Sequence, residues 1–197
     1  MDINLVDLGL PNGILWADRN VGAHSPEDYG LHLTWGDLTP QKDYSKENYK
    51  YLKDTKYQAL GDNISATPYD AATMMYGEPW RLPTLKEARD FISKKYCIFT
   101  LETLNGIEGY RVTGKKTGNS LFVPFGGIII GKENTSATSQ AVYWTAELQQ
   151  TSPGTFFPCG FYLEYYEYDP YRNHWGYISP YYGACLLYTS CRYHGSQ

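Results

Sequence analysis

The sequence predicts an α+β fold, with two or so helices packed on a twisted antiparallel sheet and long loops between the elements. Helix signals lie in the first half of the chain, and runs typical of strands dominate the second half. This segregation favours an antiparallel sheet over the alternating units of a parallel one. Residues 40–66 are polar and aperiodic, so a long surface loop is expected there.

The strongest helix signal begins at Thr84. Thr84 and Glu87 have the T-x-x-E spacing of a capping box, in which the side chain and the backbone bond reciprocally at the helix start. Apolar residues then recur on one face, which predicts a helix from about Leu85 to Lys94. A second helix is predicted up to Tyr76, because the preceding Asp70 can cap it.

Strands are predicted where β-branched and aromatic residues cluster between turn residues. Residues 5–8 and 14–16 are expected to pair across a Pro-Asn-Gly turn. Between these two strands and the helices, a brief helix is predicted to start at Ser25, because Ser25 can cap a helix and Pro26 suits its first position. Arg81, just before the capping box, is expected to pair with an acidic loop residue. Six later strands are predicted, near residues 110–113, 121–123, 126–130, 142–146, 161–165 and 175–178.

Composition excludes several classes of protein. Aromatic residues make up 16 % of the 197 residues, whereas disordered chains are poor in them. The net charge is −4 and no basic stripe is visible, so no nucleic-acid partner is expected. The longest apolar run, Phe125–Ile130, is far shorter than a membrane span needs, so no membrane insertion is expected. The first residues carry no secretory signal.

The residue spacing predicts no cofactor, no metal and no catalytic group. The chain contains no Ser-His-Asp order, HExxH or glycine-rich phosphate loop. Asp169 and Asn173 are too isolated to supply the oxygen ligands of an essential calcium ion. Buried free thiols are expected because no CxxC pair is present. The four cysteines are Cys97, Cys159, Cys185 and Cys191.

Six motifs follow one another along the chain in the order of a known family. They are V-D-L-G-L-P-N-G-I-L-W-A from Val6, N-V-G-A from Asn20, W-R-L-P-T from Trp80, G-Y-R-V-T-G from Gly109, N-S-L-F-V-P from Asn119 and Y-W-T from Tyr143. With these motifs, residues 5–184 resemble the Fibrobacter succinogenes major paralogous domain, which is abundant in relatives of Bacteroides. The resemblance implies a C-type-lectin-like fold, similar to formylglycine-generating enzymes and to variable ligand-binding proteins.

The motifs also have a physical interpretation, because large indole rings beside glycines are typical of a tightly packed core. The tryptophans expected in the core are Trp16, Trp35, Trp80 and Trp144. The family ends in a last core strand of pattern G-x-S-V-R-x-V, from which this chain departs at Cys185. The peptide C-L-L-Y-T-S begins there. The same peptide is encoded by one reading frame of a transposon end that is used to prepare sequencing libraries. The prediction is one domain over residues 1–184, with residues 185–197 as a non-native tail, although Leu186 and Tyr188 are expected to fill the strand approximately.

Tyrosines are concentrated near the end of the chain, with ten of the 20 between Tyr162 and Tyr193. Tyrosine supplies large, rigid, amphipathic contact area, and Asn, Ser and Gly add adaptable hydrogen bonds, as in antibody-like binding surfaces. The alternative is that alternate tyrosines pack on the sheet and the others are tolerated outside. The predicted ligand-binding residues are Tyr166, Tyr168, Asp169, Tyr171, Arg172, Asn173, His174, Trp175 and Tyr177.

The resemblance and the tyrosine-rich segment predict a ligand-binding module whose partner is a glycan or a protein receptor on another cell or surface. Among relatives of the fold, diversity-generating retroelements mutate adenines in such a segment, and Asn codons then give this mixture of residues. That origin implies an extracellular, cell-surface or phage-particle protein, exported separately or within a longer product. Without it, the prediction is a carbohydrate-binding or cell-adhesion domain. The ligand and the oligomeric state stay open.

The alternative is a catalytic member of the same fold. Formylglycine-generating relatives are oxidases that bind copper through a pair of cysteines. Here the only two cysteines that are close in the sequence are Cys185 and Cys191. Both lie in residues 185–197, where the chain departs from the family pattern. A hydrolase stays open because glycoside hydrolysis uses a pair of carboxylates, and Glu164, Glu167 and Asp169 are near one another in the sequence.

Overall fold

A computed structural model describes residues 3–53, 56–57 and 60–190. Within these residues the chain is α+β, as predicted, with two α-helices and mostly antiparallel strands. The helices are α1 (Ala71–Tyr76) and α2 (Leu85–Phe91), and a short 3-10 helix spans Lys46–Asn48. The strands are β1 (Leu5–Val6), β2 (Leu15–Ala17), β3 (Leu52–Lys53), β4 (Lys56–Tyr57), β5 (Trp80–Arg81), β6 (Cys97–Leu104), β7 (Ile107–Gly114), β8 (Ser120–Pro124), β9 (Ile128–Ile130), β10 (Glu133–Thr135), β11 (Gln140–Ser152), β12 (Thr155–Tyr166), β13 (Asp169–Tyr177) and β14 (Thr189–Ser190).

Local signals set both α-helices. The capping box of α2 is present: the Glu87 amide donates to Thr84 Oγ1 at 3.2 Å, and the Thr84 amide donates to Glu87 Oε2 at 2.8 Å. The helix ends at Phe91, so the predicted end near Lys94 was wrong by about a turn. The carboxylate of Asp70 caps α1 and accepts from two of its amides.

Two three-stranded antiparallel sheets form most of the second half, with orders β6-β7-β8 and β11-β12-β13. In the second sheet, Phe161 on β12 is opposite Tyr143 on β11 and Trp175 on β13. Among the described residues, β13 is therefore the edge strand of this sheet and pairs only with β12. The expected pairing of β1 with β2 is confirmed, with Val6 opposite Trp16.

Two hydrophobic clusters lie on opposite sides of the β11–β12 ribbon. Consecutive residues of β11 enter different clusters, because side chains alternate along a strand. Tyr143 joins Phe91 and Phe161 under α2, whereas Trp144 joins Trp35 in the other cluster. Trp16, Trp35 and Trp144 are buried as expected, and Trp80 is only partly buried.

Residues 185–189 also lie in this core. The Cys185 amide donates to the Val142 carbonyl at 3.0 Å, and Thr189 pairs with both β2 and β5. Leu186 and Tyr188 are buried, as expected of a last core strand. Residues 191–197 lie outside the described residues, and the non-native origin of the tail stays a hypothesis that sequencing the source locus would test.

Candidate ligand-binding face

The predicted binding residues are distributed along one β-hairpin, formed by β12, β13 and the turn between them. Tyr168 is in the turn and is 96 % exposed, and Tyr166, two residues before it, is 45 % exposed. Tyr177 is 46 % exposed but lies at the opposite end of β13, about 26 Å from the turn at the rise of an extended strand. The hairpin therefore brings Tyr166 and Tyr168 together and leaves Tyr177 apart. The side chains of Asp169 and Tyr171, both on β13, lie outside what the structure describes.

One face of β13 packs toward α2. Trp175 is opposite Phe161 in the strand register, is partly buried and contacts the hydrophobic cluster beneath α2. The guanidinium of Arg89 on α2 lies 4.1 Å from the centre of the Trp175 ring, within the range of a cation–π contact. Trp175 is therefore an anchor that joins the hairpin to the helix, with part of its surface left accessible.

On the other face of β13, aromatic rings lie next to charged side chains. His174 is stacked on Tyr162, with ring centres 4.6 Å apart and an angle of 2° between the rings. The carboxylate of Glu164 lies 3.6 Å from His174 Nδ1 and 3.9 Å from Arg172 Nε. The Glu164 side chain is buried, whereas Arg172 is 62 % exposed. The Glu164 carboxylate therefore lies near two of the predicted binding residues, although His174 Nδ1 has no hydrogen-bond partner among the described residues.

A cleft of about 560 Å³ separates the end of α2 from β13. Its lining residues are Arg89, Ile92, Ser93, Lys94, Arg172, Asn173, His174 and Trp175. Both polar atoms of the Asn173 amide are buried, and neither has a hydrogen-bond partner among the described residues. The cleft therefore combines four predicted site residues with four from α2 and the turn after it.

The contribution of α2 was missed from the sequence. Arg89 and Lys94 lie about 80 residues before β13, and only the folded chain places them beside it. The helix itself was predictable, but no local signal showed which strand its far end would approach. A polar end on an amphipathic helix is usually interpreted as a solvated surface.

A second group of chemically interesting residues lies in the core, where Cys185 Sγ is 3.4 Å from His32 Nε2. The same Nε2 is 2.8 Å from the carbonyl oxygen of Gly126. A carbonyl only accepts, so this contact assigns the ring proton to Nε2, which then has no lone pair to accept the thiol proton. Burial raises the pKa of Cys185 to about 12 and lowers that of His32. This geometry is opposite to that of an activated cysteine, which needs a base and a lowered pKa.

Metal binding and membrane crossing concern two further features of the described part of the chain. No group of three or more His, Cys, Asp or Glu side chains there is placed to hold a metal ion. None of its helices has the length and apolar character needed to cross a bilayer. The calcium expectation stays a prediction, to be tested by calorimetric titration.

Comparison with known proteins gives no relative. No protein-family model, no curated protein and no solved structure matches the chain. The demonstrated fold is therefore α+β with antiparallel sheets.

Proposed function

We propose that this chain is a C-type-lectin-like ligand-binding domain, related to the Fibrobacter succinogenes major paralogous domain. It uses the β12–β13 hairpin to bind a glycan or a protein receptor on another cell or surface. The observation that carries the proposal is a hairpin that exposes Tyr166 and Tyr168 at its tip while Trp175 anchors it to α2. Exposed aromatic side chains on a rigid support are typical of binding surfaces.

The exposure of the tip favours binding over packing. Tyr168 is almost fully in solvent, so its ring adds nothing to the core. Tyr166 contacts the guanidinium of Arg172, whose centre is 5.8 Å from the ring centre. Tyrosine and arginine are both enriched in the buried centres of protein interfaces.

The support of the hairpin reduces the cost of binding. β12 is hydrogen-bonded on both sides, by β11 and by β13. The contact between Trp175 and Arg89 adds a side-chain link to α2. A surface held in this way loses little conformational freedom when a ligand binds, so more of the contact energy appears as affinity.

The proposal includes an origin of the hairpin sequence in a diversity-generating retroelement, on a cell-surface or phage-particle protein. Among the described residues, β13 pairs with β12 alone, and the effect of a substitution on a strand depends on whether the strand is at an edge or in the centre of its sheet. This origin would be supported by a repeat of the coding DNA downstream of the gene, next to a reverse transcriptase gene. The repeat would differ from the codons of residues 162–177 only at adenines. Its absence would leave a carbohydrate-binding or adhesion domain that does not vary.

We propose no catalytic role. In the one close thiol–imidazole pair among the described residues, the proton on His32 Nε2 is donated to Gly126 and the Cys185 thiol has a raised pKa. An oxidase or hydrolase would need an activated group elsewhere.

The decisive experiment is a screen of the purified chain on glycan and receptor-protein arrays, repeated with the double variant Tyr166→Ser/Tyr168→Ser. We expect the variant to lose at least tenfold in binding to whatever ligand the native chain selects. Ile98→Ser/Leu101→Ser is the matched control, because it removes two exposed apolar side chains from β6, in a different sheet. Equal binding by the hairpin variant and the control would reject the hairpin as the binding surface.

A further inference from the structure

The strand β6 leaves one of its two sides open. Among the described residues it pairs with β7 alone, over Cys97–Leu104 and without a register shift. Its sequence contains neither lysine nor proline. Natural proteins often use lysine, proline or a bulge to prevent an edge strand from pairing with another molecule. A long, regular edge strand without these three devices is therefore a template for a further strand.

The hydrogen bonds of β6 show which of its backbone groups face the open side. The Lys115 amide donates to the Tyr96 carbonyl at 2.9 Å, one pair before the strand begins. In an antiparallel ladder, pairs that exchange bonds alternate with pairs that do not. The even-numbered residues of β6 therefore bond to β7. The amides and carbonyls of Phe99, Leu101 and Thr103 point to the open side, where no described group bonds them.

The sequence of β6 is close to a palindrome about Leu101. Apolar Ile98 and Leu104 lie three positions to either side of it, and polar Thr100 and Glu102 flank it directly. In a second, antiparallel copy centred on the same residue, Ile98 is opposite Leu104, and Thr100 is opposite Glu102. Ile98 is 50 % exposed and Leu101 is 40 % exposed. Pairing of two copies would remove part of this apolar surface from water.

The register centred on Leu101 bonds every open group, whereas its neighbours do not. A centre at Thr100 would need the Cys97 amide, which already donates to the Ser93 carbonyl at 3.0 Å. A centre at Glu102 would place two carboxylates directly opposite each other, which destabilises a strand pair. The chemistry of the strand thus favours a single arrangement of two copies.

We propose that two copies of this chain pair through their β6 strands and form a two-fold symmetric dimer. The β6-β7-β8 sheets of both copies then join into one continuous sheet. Such an interface contacts the same surface of each copy, so it closes after two copies and does not extend into a polymer. One strand pair is a small contact, and we therefore expect a weak dimer in exchange with the monomer.

Disulfide cross-linking tests the register directly. In a Cys191→Ser background, Leu101→Cys places two thiols opposite each other, with Cα atoms about 5.5 Å apart as in a bonded pair, a separation that suits a disulfide. Thr103→Cys is the matched control, because Thr103 is exposed on the same face of β6 but lies opposite Phe99 of the second copy. After mild oxidation, we expect a covalent dimer of Leu101→Cys and a monomer of Thr103→Cys on a non-reducing gel.

The variant Leu101→Pro tests the association without a cross-link. Proline removes the amide hydrogen that points to the open side, so the bonds between β6 and β7 remain, as at other edge strands that contain proline. Sedimentation velocity at rising concentration should show the native chain shifting toward a dimer. We expect the variant to associate at least tenfold more weakly. Reduced Thr103→Cys keeps its amide and should associate like the native chain, and thermal unfolding checks each fold.

Dimerisation is separable from ligand binding by the hairpin, which belongs to a different sheet. The array control Ile98→Ser/Leu101→Ser lies on the β6 edge, so it should also weaken the dimer. Each chain of that variant keeps its own hairpin, and titration in solution should therefore give the native affinity per chain. A weaker array signal with unchanged affinity in solution is the avidity that is lost with the second hairpin.

Three results would overturn the inference: a native chain that stays monomeric at its highest soluble concentration, no cross-link in Leu101→Cys, or equal cross-linking in Thr103→Cys. Unchanged association of Leu101→Pro would also overturn it, because the contact would then lie elsewhere. Species larger than a dimer would contradict it as well, since they indicate pairing of β6 with a different edge. None of these results affects the hairpin, which the Tyr166→Ser/Tyr168→Ser variant tests separately.

Discussion

Arg81 and Glu87 form a two-point ion pair at the start of α2, with Nη2 2.7 Å from Oε1 and Nη1 2.9 Å from Oε2. The sequence predicted an acidic loop partner for Arg81, and that was wrong, because the partner belongs to the capping box of the helix. Glu87 also accepts from the Thr84 amide. One carboxylate therefore joins β5 to the first turn of α2.

We expect Glu87→Gln to lower the free energy of unfolding by about 2 kcal/mol at pH 7, since hydrogen bonds to a charged group are lost. Burial opposes ionisation of Glu87, but the Arg81 guanidinium and the Thr84 amide outweigh it and hold the pKa of the carboxyl below its usual value. Because the pKa of Glu87 is lower in the folded than in the unfolded chain, its ionised carboxylate stabilises the folded state at pH values above the unfolded pKa. This stabilisation is lost as the pH falls through the pKa of the folded state. Urea denaturation between pH 7 and pH 3 measures it.

The gap in stability between the native chain and Glu87→Gln should therefore be largest near neutral pH and shrink in acid. Glu133→Gln, at an exposed position of β10, controls for the loss of one carboxylate. A gap that stays constant down to pH 3 would contradict the ion pair as the source of the effect.

Leu186→Ala tests whether the segment after Ala184 belongs to the core. Leu186 is 3 % exposed, and its carbonyl accepts from the Val21 amide at 2.9 Å. Removing a buried leucine leaves a cavity, so we expect a loss of about 3 kcal/mol in the free energy of unfolding. The control is Leu5→Ala, an exposed leucine, which should change stability by less than about 0.5 kcal/mol. Similar losses in the two variants would place the segment outside the core.

Trp175 and Tyr168 should separate stability from binding. Trp175→Ala removes the contact with Arg89 and with the cluster under α2, and we expect it to lower the free energy of unfolding by about 2 kcal/mol. Tyr168→Ala removes a ring that is almost fully in solvent, so its effect should stay within about 0.5 kcal/mol. Chemical denaturation gives both values. A large loss in Tyr168→Ala would show that the hairpin tip is packed and would weaken the proposed binding face.

The elements predicted correctly from the sequence are those set by neighbouring residues. Thr84 and Glu87 start α2 through bonds made within one turn of helix. Ser25 and Pro26 carry a similar signal, yet that segment forms a turn. There the carboxylate of Asp28 bonds the amides of His24 and Gly30, so a local side-chain bond competes with the helix.

The parts that the sequence could not predict depend on contacts between distant residues. Thr189 inserts between β2 and β5, opposite Trp16 and Arg81, and no local pattern specifies such a pairing. In the same way, the cleft exists only because the end of α2 packs beside β13. The tyrosine-rich composition pointed to the hairpin, whereas the cations of α2 were visible only in the fold.

The buried thiols should be unreactive in the native protein. Burial raises the pKa of Cys97 to about 12, of Cys159 to about 11 and of Cys185 to about 12. At pH 8 roughly one in a thousand or fewer of these groups is then a thiolate, which is the reactive form. We expect iodoacetamide at pH 8 to leave all three unlabelled in native buffer and to label them fully in urea, as measured by peptide mass spectrometry.

The peptide that contains Cys191 is scored separately, because that residue lies outside the described part of the chain. Cys97, whose pKa is raised by burial with no histidine among the causes, is the internal control for simple burial. Native labelling of Cys185 within minutes, with Cys97 still protected, would show an activated thiol beside His32. That result would contradict the proton assignment on His32 and would favour the oxidase alternative over a binding domain.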